Sequence, residues 1–112
     1  MWREIKKAAY MIRHIVLTKF NADTTEEKIA AIYAELTALV EKLSGAHGFT
    51  GGRSSSPEQI ERGYKHGFVI DFDSWADLKT YAEHPEHKAL GAQLVQCAIG
   101  GIDGILVLDL EH

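Results

Sequence analysis

A chain of 112 residues with 46% hydrophobic and 25% charged side chains matches the globular average and fits one domain. Its net charge of −4, with acids and bases interspersed, sets up no basic face, which argues against nucleic acid as a partner. The single cysteine, Cys97, allows no internal disulfide and fits a small apolar residue in a reducing, cytoplasmic compartment. No apolar run reaches the roughly 20 residues a membrane span requires.

Met1 to Tyr10 is basic but lacks the long apolar segment of a secretory signal, and reads as an extension ahead of the domain. The domain itself is expected over residues 11–109. Leu110-Glu111-His112 reads as the start of a cloned histidine tag, so Glu111 and His112 are set aside from functional argument.

Met11 to Phe20 is β-branched and apolar, the pattern of a strand. Its even positions carry Ile12, His14, Val16, Thr18 and Phe20, and its odd positions Arg13, Ile15, Leu17 and Lys19. Apolar groups on both faces ask for cover on two sides. Asn21-Ala22-Asp23 makes the turn, and Thr24 with Glu27 forms a capping-box pattern. Ile29, Ile32, Tyr33, Leu36, Leu39, Val40 and Leu43 then follow the 3.6-residue period of an amphipathic helix. Ser44-Gly45 is expected to stop it, with Gly45 taking the left-handed closing position.

His47 to Ser56 is rich in Gly and Ser and reads as a weak strand running into a loop through Gly63. Tyr64 to Phe72 is a clear strand, with Tyr64, His66, Phe68, Ile70 and Phe72 on its even face. Ser74 and Asp77 form a second capping box, and Trp75, Leu78, Tyr81 and Ala82 build an apolar stripe behind it. Pro85 opens a further helix from about Glu86 to Cys97, Gly100-Gly101 ends it, and Ile102 to Leu110 is the last strand.

The order β-α-β-β-α(α)-β predicts an α+β, ferredoxin-like protomer with one four-stranded antiparallel sheet and helices on one face. The other face remains apolar, and apolar surface of that size marks a partner surface. At about 25 cal/mol per Å², covering it with a second copy, sheet on sheet, is the simplest closed solution.

The first strand, the Arg62 to Gly67 segment R-G-Y-K-H-G, and the Tyr81 to His87 segment Y-A-E-H-P-E-H resemble the stress-responsive A/B barrel (Dabb) family. The resemblance covers residues 11–109 and implies a homodimer whose two sheets close into an α/β barrel. A plant polyketide cyclase of that family closes an aromatic ring by aldol chemistry with histidines and a tyrosine, without a metal or organic cofactor. By motif its functional positions fall on His14, His66, Tyr81 and His87. A further tyrosine of that enzyme falls on Leu36, which departs from the pattern, and Tyr33 lies one turn earlier.

These four residues would serve proton transfer next to a carbonyl group. Imidazoles exchange protons near neutral pH, and a phenol donates to an oxygen that gains charge. Asp71 and Asp73 are less suited, one on the opposite strand face and the other just ahead of a helix. Plainer readings stand beside these. His14 alone suits a core histidine, His84 a helix cap, Tyr81 and Tyr33 core packing, and Trp75 packing rather than a ligand platform. No carboxylate stands at a ligand spacing from the histidines, so no metal site is assigned. The chain is therefore read as a small-molecule-binding dimer with cofactor-free acid–base chemistry, or as a stress-associated binding or structural dimer without turnover.

Overall fold

The computed structural model describes residues 10–112, so all but the last residue of the expected N-terminal extension lies outside the described residues. The elements are β1 (Ile12–Thr18), α1 (Glu26–Lys42), β2 (Ala46–Arg53), β3 (His66–Phe72), α2 (Trp75–Glu83), α3 (Pro85–Cys97), a short 3-10 turn (Gly101–Gly104) and β4 (Ile105–Glu111). All strand pairs are antiparallel and the sheet order is β2-β3-β1-β4. This is the expected ferredoxin-like α+β arrangement, with the second helical segment split in two.

The even faces of the two central strands make the floor of the core. Ile12, His14, Val16 and Thr18 of β1 and His66, Phe68, Ile70 and Phe72 of β3 are all buried. α1 lays Ile29, Ile32, Leu36, Leu39 and Val40 on that floor. Tyr81 of α2 and Leu90 and Leu94 of α3 complete the core. Trp75, expected to pack, instead stands 45% exposed.

The helical layer stops short of β4. Val107 lies opposite Val16 on the helix-facing side of the sheet, yet it remains 53% exposed. On the other side Leu106 lies opposite Leu17 and Leu108 opposite Ile15, which gives a continuous apolar outer face. β4 continues through Glu111, and the backbones of Met11 and His112 bond to each other at 2.6 and 2.8 Å. The last residues are thus part of the sheet.

Local detail departs from expectation at three places. Thr25, not Thr24, caps α1, accepting from the Lys28 N–H at 3.1 Å. The Thr24 hydroxyl instead donates to the Cys97 carbonyl at 3.4 Å. α1 closes on Leu43 in an extended conformation, and Gly45 serves a close approach, because a Cβ there would collide with the Asp77 carboxylate. Gly48, just beyond, is the positive-φ glycine of this stretch, φ 60°, where the β2–β3 register shifts between His47 and Phe49 as in a β-bulge. Finally, β3 begins at His66, and Tyr64 lies ahead of it beneath the Lys19 ammonium, 4.7 Å from the ring centre.

Replacing a threonine N-cap by alanine costs about 1 kcal/mol. Thr25→Ala is therefore expected to lower the urea-unfolding free energy by about that amount, and Thr24→Ala by less; an equal or larger loss at Thr24 would contradict the assigned cap.

Candidate functional site

Of the four residues singled out by sequence, three meet and one stands apart. His14 projects from the buried face of β1, and its Nδ1 lies 2.6 Å from Oδ1 of Asp109 on β4. Its ring stands edge-on to Tyr81 of α2, with centroids 5.8 Å apart, and to Phe72 at 6.0 Å. The Tyr81 ring in turn lies 4.4 Å from the His87 ring of α3. The junction of α2 and α3 fixes that last contact. His84 ends α2, and its Nδ1 accepts from the Glu86 N–H at 3.1 Å to cap α3, with Pro85 in the first turn. This is the capping role read from the sequence.

His66 is on the same sheet face but at its far end. β1 and β3 run antiparallel, so His66 faces Thr18 while His14 faces Ile70. Four residues separate the positions, roughly 13 Å at about 3.3 Å per residue. His66 contacts Glu26 and Phe20, with Nε2 3.0 and 3.2 Å from the two Glu26 oxygens and ring centroids 5.2 Å apart to Phe20. Asp71 and Asp73 are engaged elsewhere, with Arg13 at 3.0 Å and His47 at 2.8 Å.

Sequence reasoning missed Asp109. The signal was a single acid inside the apolar run Ile105 to Leu110, and only the register of β1 with β4 shows that it meets His14. A carboxylate accepts hydrogen bonds, so His14 Nδ1 carries the proton in this pair. His87 Nδ1 likewise donates to the Ala82 carbonyl at 3.0 Å, which leaves its Nε2 lone pair to act as acceptor or base.

Burial first of all lowers the His87 pKa, with nearby His14 and His84 adding to it and the Ala82 bond opposing. Burial holds the Tyr81 hydroxyl well above the usual phenol range. Around neutral pH the cluster thus presents a neutral imidazole and a protonated phenol. Among the described residues, the buried Tyr81 hydroxyl has no hydrogen-bond partner, although such groups ordinarily find one. The pair could take a proton from a carbon beside a carbonyl and donate to the carbonyl oxygen. The Tyr81 side chain is itself fully buried. His87 is half-buried at the surface, and the Asp109 side chain is 28% exposed along the uncovered flank of β4, so the cluster borders solvent on two sides. Among the described residues, no three His, Cys, Asp or Glu side chains are grouped to hold a metal ion. Among the same residues, no helix is long and apolar enough to cross a membrane.

A lowered His87 pKa means that the unfolded chain binds this proton more readily than the folded one. Folded stability should therefore fall as pH drops below about 6.5, the ordinary histidine value. The difference in unfolding free energy between the native protein and His87→Gln should be flat above neutral pH and move against the native protein in acid. A difference independent of pH would contradict the burial of this imidazole.

The family description Stress responsive A/B Barrel Domain matches residues 12–111. The chain is 29% identical over 110 residues to the stress-response A/B barrel domain-containing protein HS1 of Arabidopsis thaliana, covering 96% of this chain and 94% of that protein. It is 24% identical over 80 residues to olivetolic acid cyclase of Cannabis sativa, covering 71% and 79% of the two chains. Among solved structures, a dimeric ferredoxin-like protein of unknown function from Jannaschia sp. CCS1 superposes with a TM-score of 0.84 at 35% identity, over 89% of this chain and 97% of that one. With the family model matching nearly the full length and the fold in agreement, the chain belongs to the stress-responsive A/B barrel (Dabb) family.

Proposed function

We propose that this Dabb protein is a homodimer that binds a small organic carbonyl compound at His14, Tyr81 and His87, and moves protons within it using those side chains as acid and base. The observation that carries this reading is the buried Tyr81 hydroxyl, which lacks an acceptor among the described residues while its ring packs between two imidazoles. A ligand carbonyl oxygen supplies the missing acceptor. His87, neutral through burial, is the base, and the Asp109 contact orients His14. Similarity to a cyclase in 24% of aligned positions favours a polyketide-like ligand. The free Cys97 suits a reducing cytoplasm.

A second reading, binding or a structural dimer without turnover, is favoured by the complete burial of Tyr81. The dimer is common to both. Ile15, Leu17, Leu106 and Leu108 line the outer sheet face, and Leu106, Leu108 and Leu110 are about half exposed. Covering each is worth roughly 1 kcal/mol, and the Jannaschia relative is dimeric.

Two measurements test the proposal. Sedimentation should give twice the protomer mass at micromolar concentration, and Leu108→Lys should give the monomer; a monomeric native protein would overturn the dimer. For the site, 2,4-dihydroxyacetophenone is the probe, an aromatic ketone with exchangeable hydrogens beside its carbonyl. Calorimetry should show binding that weakens roughly tenfold in Tyr81→Phe, the equivalent of one hydrogen bond of about 1.4 kcal/mol. Deuterium uptake at its methyl group, followed by NMR, should exceed buffer background and fall in both Tyr81→Phe and His87→Gln. Binding with background exchange assigns the second reading, and unaltered binding in both variants would remove the site.

A further inference from the structure

The far end of the sheet holds a second polar constellation that the carbonyl site does not use. His66 is buried on β3 with 7% of its side chain exposed, and its Nε2 donates to Glu26 at 3.0 and 3.2 Å. Arg53, at the end of β2, donates from Nη1 to Oε2 of the same Glu26 at 3.3 Å. Two donors from different strands thus converge on one carboxylate. That carboxylate comes from the first turn of α1, on a side chain 60% exposed. The positive end of the helix dipole also favours an anion there.

Beside this bridge runs a groove of about 350 Å³ between α1 and β2. Its banks are small, Ala30 and Ala34 on one side and Gly51 and Gly52 on the other, with Tyr33 and Phe49 also lining it. Gly51 is required by contact, since a Cβ there would lie 2.9 Å from Phe49 and Phe68 carbons and 3.1 Å from Tyr33. Tyr33 is 7% exposed, and among the described residues its buried hydroxyl has no hydrogen-bond partner. Burial foremost, and Glu26 next, keep that hydroxyl protonated well beyond the usual phenol range. A buried donor without an acceptor is costly, and an exception of this kind asks for an explanation.

We propose that this groove binds a small organic carboxylate, whose carboxylate group displaces Glu26 from His66 and Arg53 while its apolar body lies between α1 and β2. Glu26 holds the place of the ligand. Its two oxygens already occupy the positions a carboxylate takes on His66, and its long, mostly exposed side chain can swing into water at little cost because exposed ion pairs are weak. Tyr33 supplies the remaining donor in the groove, and Phe49 an aromatic wall. Neutral analogues lack the charge that Arg53 selects, so the site discriminates for the anion. It lies roughly 13 Å along the strands from His14 at about 3.3 Å per residue, so it stands whether or not the carbonyl reading does.

Benzoate tests this on the whole protein, with benzamide as the neutral control. Long-range ¹H–¹⁵N spectra should show benzoate moving the His66 ring signals and leaving those of His87 in place, with no response to benzamide. Glu26→Gln removes the internal competitor and should tighten benzoate binding several-fold, while Arg53→Met and Tyr33→Phe should each weaken it roughly tenfold, or about 1.4 kcal/mol. Arg53 and Glu26 are exposed, so those variants keep the fold, which the amide spectrum verifies. A silent His66, equal response to benzamide, affinity unchanged in Arg53→Met, or weaker binding in Glu26→Gln would overturn the proposal.

Discussion

The contact between His14 and Asp109, 2.6 Å across two strands, depends on one register, and so does the rest of the candidate site. β1 lies between β3 and β4, and His14 faces Ile70 on one side and Asp109 on the other. A slip of one residue in β4 would turn Asp109 to the outer face and put a leucine beside the imidazole. The apolar outer row of Leu106, Leu108 and Leu110 holds the strand against that slip, because the same slip would turn those side chains toward the helical side. The apolar patterning of one face is thereby tied to the polar contact on the other.

The incomplete helical layer gives the site its access. α1, α2 and α3 cover β1 and β3 but leave Val107 and Asp109 at the open flank of β4. The α2–α3 junction closes the opposite wall. His84 serves as both the last cap of α2 and the first cap of α3, and that sharp turn lays the His87 ring on Tyr81. One histidine thereby sets the position of another. At the other end of the sheet, small residues of β2 and α1 line the groove beside His66.

Much of this was legible in the sequence, and the misses have physical causes. The alternation in β1 and β3 correctly placed His14 and His66 on the buried face, because a strand with one covered face repeats every two residues. It did not separate them, since both looked equivalent until the strands were paired. In an antiparallel pair the start of one strand meets the end of the other, which sends His66 to Thr18 and away from His14. The Asp109 contact was hidden for the same reason, because a cross-strand partner carries no local signal. Thr24 read as the cap of α1 because Glu27 stands three residues on, whereas it is the Thr25 hydroxyl that meets the Lys28 N–H. Gly45 was read for its backbone freedom, whereas its role is room for Asp77.

The histidines fall into two groups, His14 and His87 around Tyr81, and His66 apart at the far end of the sheet. The most direct measurement is a histidine-ring NMR titration of the native protein with 2,4-dihydroxyacetophenone, following every imidazole at once. The His14 and His87 rings should respond together with one saturation curve while His66 and His47 stay still. Movement of His66 along the same curve would show a single joined cavity, and silence at His14 and His87 would show that the cluster is core and nothing more.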